Sequence, residues 1–349
     1  MNPEGFRFLL SALASDRGPG ADPTGRGNAQ VVAEAIRIAR ANGLSYPFVA
    51  RLVESNGGVT ATEAETWAAE QTLRACFLET IRFLNEVSAD NGLDYLVIKD
   101  CPTIEHVPRD VDILVRGEDR DAFVHGLQEQ GLELEYSSPA ETSLRGAGRL
   151  RVDVYSEIRY LGTEFVSVGF LWRSRRILPT HGIPHPGLAP EATHLLNLIH
   201  AFLGRGSLSL LDLLDFQGLE PLMTDPRAPR AEAEARGWGR VYDLLIADLA
   251  RLRAGIFDEH RVMQFPHRYG RGFVLDCVSE LDVPPRTREA IALRATLLWD
   301  DVLFRLEDSG IADRIRKSAV AVRLGNSVGH RLRSMRGDRK VGPNREVRG

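Results

Sequence analysis

The hydrophobic period of this chain changes twice, and those changes limit its fold more than any other feature. Up to Val87 apolar residues recur at helical spacing. Val31, Val32, Ala35, Ile36 and Ala39 mark one helix, residues 47–54 a short second, and Leu73, Phe77, Ile81, Leu84 and Val87 a longer third. The third opens on a Thr62-x-x-Glu65 capping box and stops at Asn91-Gly92. Alternation then takes over. Residues 95–99, 111–115, 132–136 and 149–155 read as strands, with a helix at 119–130, a turn-rich stretch at 137–148 and an edge strand at 164–168. A crossover rich in proline (Pro179, Pro184, Pro186, Pro190) precedes renewed helical spacing at 191–203, 208–219, 230–252, 259–281 and 286–306. The expected class is α+β, a small mixed sheet flanked by N-terminal and C-terminal helices. The divisions fall at 1–90, 91–178, 190–310 and a tail at 311–349.

Composition narrows the function. The 349 residues are 43% hydrophobic and 26% charged, which suits a globular chain. No apolar run approaches the ~18 residues of a membrane span. The apolar stretch at 6–14 is short for a signal peptide and follows Glu4, so a cytoplasmic location is expected. Three cysteines (Cys76, Cys101, Cys277) without a C-x-x-C exclude a disulfide framework and a cysteine zinc site. The Gly/Pro-rich stretch at 16–27 has no strand before it and no Gly-Lys-Ser/Thr after it, so it is no P-loop. Net charge is −4, unevenly spread: from Ile311 onward eleven Lys/Arg face three Asp/Glu, beside an acidic body. That tail reads as a solvated terminus, as an intramolecular clamp on the acidic body, or as a tail that meets phosphate-rich partners such as nucleic acid. Of 44 basic residues only three are lysine, and Lys99 alone precedes the tail.

The chemistry concentrates in residues 97–115. Asp110 and Asp112 stand two apart at the start of an apolar strand, so they share a face about 6.6 Å apart while Val111, Ile113 and Val115 take the other. Two such carboxylates repel unless cations lie between them, and Mg²⁺ is the natural guest. Asp153, between Val152 and Val154, joins them if its strand lies alongside. Three carboxylates can hold two Mg²⁺ ions for an in-line phosphoryl displacement, with Asp153 also placed to take a hydroxyl proton.

Lys99, Arg109-Asp-Val-Asp112 and Asp153-Val-Tyr-Ser-Glu-Ile158, with the helices at 191–201 and 208–216, resemble the nucleotidyltransferase superfold of DNA polymerase β and the aminoglycoside nucleotidyltransferases. The match is closest to the uncharacterised nucleotidyltransferase-like proteins of bacteria and archaea, and it covers residues 60–220. The resemblance implies a nucleotidyltransferase-like core, ATP or another nucleoside triphosphate as substrate, and magnesium as cofactor. It makes Asp110, Asp112 and Asp153 metal ligands, Asp153 the catalytic base, and Lys99 and Arg109 phosphate contacts. The sequence departs from the superfold at one place. Gly-Gly or Gly-Ser usually follows the first strand, and Lys99-Asp100-Cys101 stands here.

The expected activity is transfer of a nucleoside monophosphate from a nucleoside triphosphate to a hydroxyl acceptor of unspecified kind, releasing pyrophosphate. The alternative is a catalytically inactive binding or adaptor protein on the same fold, reaching nucleic acid through its tail. Each residue also has a structural reading. Arg109 could pair with Asp110 or Glu118, and Arg151 could simply neutralise Asp153. His194 and His200 do not converge on a helix, and Asp212 and Asp215 suit a buried cap or ion pair.

Overall fold

One long helix carries the sheet. The computed structural model describes residues 3–14, 29–54, 60–99, 103–139, 141–160, 163–180, 182–258, 266–269 and 271–282, all in the unit Met1–Ala295. The expected loop at 16–27, Cys101, the helix at 286–306 and the basic tail at 311–349 lie outside these residues. The N-terminal helices are α1 (Pro3–Ala14), α2 (Ala29–Ala41), α3 (Ser45–Glu54) and α4 (Ala61–Asn91). The capping box of α4 is formed by Thr60 and Glu63, not by Thr62 and Glu65. The motif occurs twice in succession and the earlier copy caps, while the Thr62 carbonyl is already helical and accepts from the Thr66 hydroxyl at 2.7 Å.

The α/β unit follows as β1 (Tyr95–Ile98), β2 (Asp110–Val115), α5 (Arg120–Glu129), β3 (Glu133–Ser137), β4 (Glu141–Arg145) and β5 (Arg151–Tyr155). The sheet order is β1-β2-β5-β4-β3, with β2 and β5 parallel and every other pair antiparallel. This is the expected α+β class with a small mixed sheet. One sequence reading fails here, because residues 137–148 contain β4. Its outward positions are polar (Glu141, Ser143, Arg145), which lends the stretch the composition of a turn, yet β4 pairs with strands on both sides.

The inward residues of β2 and β5, Val111, Ile113, Val152 and Val154, pack with Leu144 against Phe77, Leu84 and Val87 of α4 and Phe123 and Leu127 of α5. Thr80 of α4, fully buried, accepts the Leu150 N–H at 2.9 Å and so fixes where β5 begins. Apolar alternation thus seats the sheet on two helices and leaves the opposite face to the acidic residues.

Beyond the sheet come β6 (Arg159–Tyr160) with β7 (Thr163–Glu164), α6 (Val168–Arg173), and the hairpin β8 (Arg175–Thr180) and β9 (Ile183–Leu188). The proline-rich crossover is therefore a hairpin. Its prolines pair with each other or with Ile177, and β9 lies against β1. Then follow α7 (Pro190–Ile199), a π-helical turn at His200–Arg205, β10 (Ser207–Leu208), α8 (Leu210–Leu219), α9 (Ala228–Ala235), α10 (Gly239–Arg253), β11 (His267–Arg268) and α11 (Arg271–Ser279). The helix expected over 230–252 is two helices, broken at Gly237 in the left-handed region (φ 77°). Of the helix expected over 259–281, residues 259–265 lie outside the described residues, and the rest is the short strand β11 followed by α11.

Ile113 is fully buried between β2 and α4, so Ile113→Ala is expected to cost about 2–5 kcal/mol of unfolding free energy, measured by urea denaturation.

Candidate active site

Strand register assembles the acidic residues. In the parallel pair Asp112 faces Asp153 and Asp110 faces Arg151; across the antiparallel pair Ser143 of β4 faces Asp153 and Glu141 faces Tyr155. Adjacent strands lie about 4.8 Å apart, so Asp112 and Asp153 are held as near neighbours by the backbone itself. The face opposite the core therefore carries Asp110, Asp112, Arg151, Asp153, Tyr155, Glu141 and Ser143.

Two basic side chains offset this acidity. The Arg151 guanidinium bridges Asp110 at 2.7 Å and Asp153 at 2.9 Å. Burial works against the charge of Arg151, but Asp153 and Asp110 more than compensate and its pKa is raised. The Lys99 ammonium lies 2.6 Å from Asp112 Oδ1 and donates to the Tyr155 hydroxyl at 3.3 Å, 4.5 Å from the centre of that ring. Asp153 is 3% exposed, and burial pushes its carboxyl above the usual range. The Ser143 hydroxyl and Arg151 oppose that shift, while Asp112 and Glu141 add to it. Burial, then Asp112 and Glu141, also raise Tyr155, whose hydroxyl stays protonated.

Lys99 has a second distinction. Its φ is 59°, and among the described residues it is the non-glycine residue in the left-handed region. That conformation costs an L-residue roughly 1–2 kcal/mol and is glycine's by default. Lysine thus stands at the end of β1 and adopts a glycine-like backbone. The ion pair with Asp112, each side chain 15% exposed, holds it there.

The structure brings four of the five sequence-predicted residues together, namely Lys99, Asp110, Asp112 and Asp153. Arg109 is exposed at the approach to β2 and does not join them. Arg151 does more than neutralise Asp153, since it links two of the three carboxylates. Sequence reasoning missed Tyr155, although it sits two residues past Asp153 on the same face. It missed Glu141 and Ser143 because β4 itself was missed. A hollow of about 50 Å³ lies beside Lys99, Asp110 and Asp112, room for one or two waters.

The donor set suits Mg²⁺. Three carboxylates offer hard oxygens, and Asp153 Oδ1 is buried without a hydrogen-bond partner. Lys99 and Arg151 now carry the compensating charge, and among the described residues no three His, Cys, Asp or Glu side chains are drawn together as a metal cluster.

No family model matches the chain, and no curated protein matches it in sequence. Two solved structures are similar to part of it. One is the lincosamide antibiotic adenylyltransferase LnuA in its lincomycin-bound form, 16% identical, with a TM-score of 0.32 over 42% of this chain and 97% of that chain. The other is the antibiotic-resistance factor ANT(2'')-Ia, 11% identical, with a TM-score of 0.35 over 52% of this chain and 97% of that chain. Similarity at this level assigns no activity. Among the described residues no helix is long and apolar enough to cross a membrane.

Two predictions come from this geometry. Lys99→Gly and Lys99→Ala both lose the ion pair, but only glycine relieves the backbone, so the glycine variant should be more stable by about 1 kcal/mol in denaturant unfolding. Equal stabilities would contradict the left-handed assignment. For Asp153, a carboxyl raised in the folded state costs stability once pH climbs past the unfolded pKa of about 3.9, and the full cost is present above the folded pKa. The melting temperature of Asp153→Asn, relative to wild type, should therefore rise between pH 4 and pH 7.

Proposed function

We propose that this chain is a nucleotidyltransferase that moves a nucleoside monophosphate from a nucleoside triphosphate to a hydroxyl acceptor. The observation that carries this reading is the parallel register that sets Asp153 beside Asp112, with Asp110 on the same face and Lys99 at its edge. A mixed sheet with Asp-x-Asp on one strand and a third aspartate on its parallel neighbour supports the nucleotidyltransferase superfold.

Asp110, Asp112 and Asp153 are the residues that would hold Mg²⁺, two ions if both positions fill. Bound there, the metal supplies charge stabilisation to the phosphates and to the oxygens that attack and leave. Lys99, released from Asp112, is within reach of the β- and γ-phosphates as a point charge. Arg109, exposed one residue before Asp110, would have to turn toward the site to meet a phosphate. The acceptor oxygen attacks the α-phosphorus, the bond from that phosphorus to the bridging oxygen breaks, and pyrophosphate leaves. The acceptor proton passes to Asp153. The Tyr155 hydroxyl, kept protonated, orients the Lys99 ammonium.

One observation favours a second reading. Lys99 and Arg151 already neutralise the acidic residues, so the same face could serve a non-catalytic binding protein with its ion pairs intact.

Calorimetric titration of ATP, GTP, CTP and UTP with Mg²⁺ separates the two. The transferase reading expects a Kd on the order of micromolar that requires the metal and disappears in Asp110→Ala/Asp112→Ala. Binding that ignores both the metal and the aspartates would favour the second reading. A folded wild type that binds no nucleotide would overturn the site assignment.

A further inference from the structure

We infer that Asp215, remote in sequence from the acidic face, is a positioning residue for it. It fastens Thr103, at the head of the stretch 103–109 that leads into β2, to helix α8 and so fixes where Asp110 stands. The functional half of this inference rests on the nucleotide-site reading above.

Asp215 is fully buried. Its Oδ1 accepts from the Thr103 hydroxyl at 2.6 Å and from the Thr103 backbone N–H at 3.3 Å, and Asn197 Nδ2 of α7 stands 3.5 Å from Oδ2. A buried carboxylate is costly unless donors meet it. Thr103, more than a hundred residues earlier, supplies two of those donors. Asp212, one turn before, is otherwise engaged, capping α8 with Ser209 and pairing with Arg205 at 2.7 Å.

Gly218 is a separate sign of the same docking. A Cβ there would lie 2.6 Å from Thr103 Cβ and Oγ1. Glycine is disfavoured inside a helix, and here it lets that stretch lie flush on α8. The Arg74–Glu105 pair, 3.9 Å long and solvent-exposed on the glutamate side, adds little. Thr103 is thereby pinned to α8 seven residues before Asp110. The stretch 103–109, held at Thr103 and at the start of β2, carries Asp110 to its place beside Arg151. Asp215 acts on the acidic face through that stretch.

The test uses the full chain with Asp215→Asn, which keeps the shape and loses the charge, and Thr103→Val, which keeps the N–H and loses the hydroxyl. Hydrogen exchange of residues 103–109 is read alongside titration of the nucleoside triphosphate that wild type binds. Both variants should raise exchange in 103–109 and weaken nucleotide binding about tenfold, the effect of one lost charge-assisted hydrogen bond. The double variant should be no weaker than the worse single one. Thr103→Ser, which keeps the hydroxyl, should restore both readouts toward wild type, a result that general destabilisation would not give. Unchanged exchange in both variants overturns the anchoring, and raised exchange with unchanged affinity overturns the positioning. Should Asp215→Asn unfold, Thr103→Val and Gly218→Ala decide by the same readouts. Should wild type bind no nucleotide, the nucleotide reading fails by itself and exchange alone judges the anchoring.

Discussion

Carboxylates forced together on a strand face need positive charge, and much of this structure serves that need. The parallel pairing of β2 and β5 leaves Asp112 and Asp153 no means of separating, because both are fixed by backbone hydrogen bonds. Asp110 adds a third charge one pleat away. Lys99 and Arg151 answer it, the first by adopting a backbone conformation that lysine rarely takes, the second by spanning two strands. Even so, one oxygen of Asp153 remains buried without a partner. A fold under hydrophobic selection alone would not keep such a face, since replacing charged groups by apolar ones of similar shape usually stabilises.

The other side of the sheet makes that arrangement affordable. Val111, Ile113, Val152 and Val154 seal against α4 and α5, and Thr80 fixes the start of β5 through a buried hydrogen bond. The register of β5 against β2 is thereby set from the core. Slipping by one residue would carry every valine to the acidic face and every aspartate inward. The C-terminal helices contribute at a distance, through Asp215 and Thr103, to the place of the segment that leads into Asp110. Helices and sheet thus act on the same few charges from opposite directions.

Lys99 joins these themes. The superfold resemblance expects glycine just past β1, and the chain has lysine at the strand end. The structure resolves that departure by giving the lysine a left-handed backbone and an aspartate to hold. The ammonium then sits where positive charge is required, 2.6 Å from Asp112 Oδ1. Conformational strain and electrostatic demand meet in one residue.

The sequence by itself determined most of the element types, the α+β class and the shared face of Asp110 and Asp112, because alternation and helical spacing are local properties that hydrophobic burial enforces. It also singled out Lys99 by the rarity of lysine. It misplaced what depends on partners. β4 looked like a turn because its outward residues are polar, and only pairing on both sides makes it a strand. The proline-rich crossover became a hairpin through cross-strand pairing and the packing of β9 against β1. Tertiary structure alone decided that Asp153 stands beside Asp112, that Arg151 links two carboxylates, that Glu141 and Ser143 share the acidic face, and that Asp215 holds Thr103. Each of these joins residues distant in sequence, and register and burial, which bring them together, are set by the packed core rather than by any local run of residues.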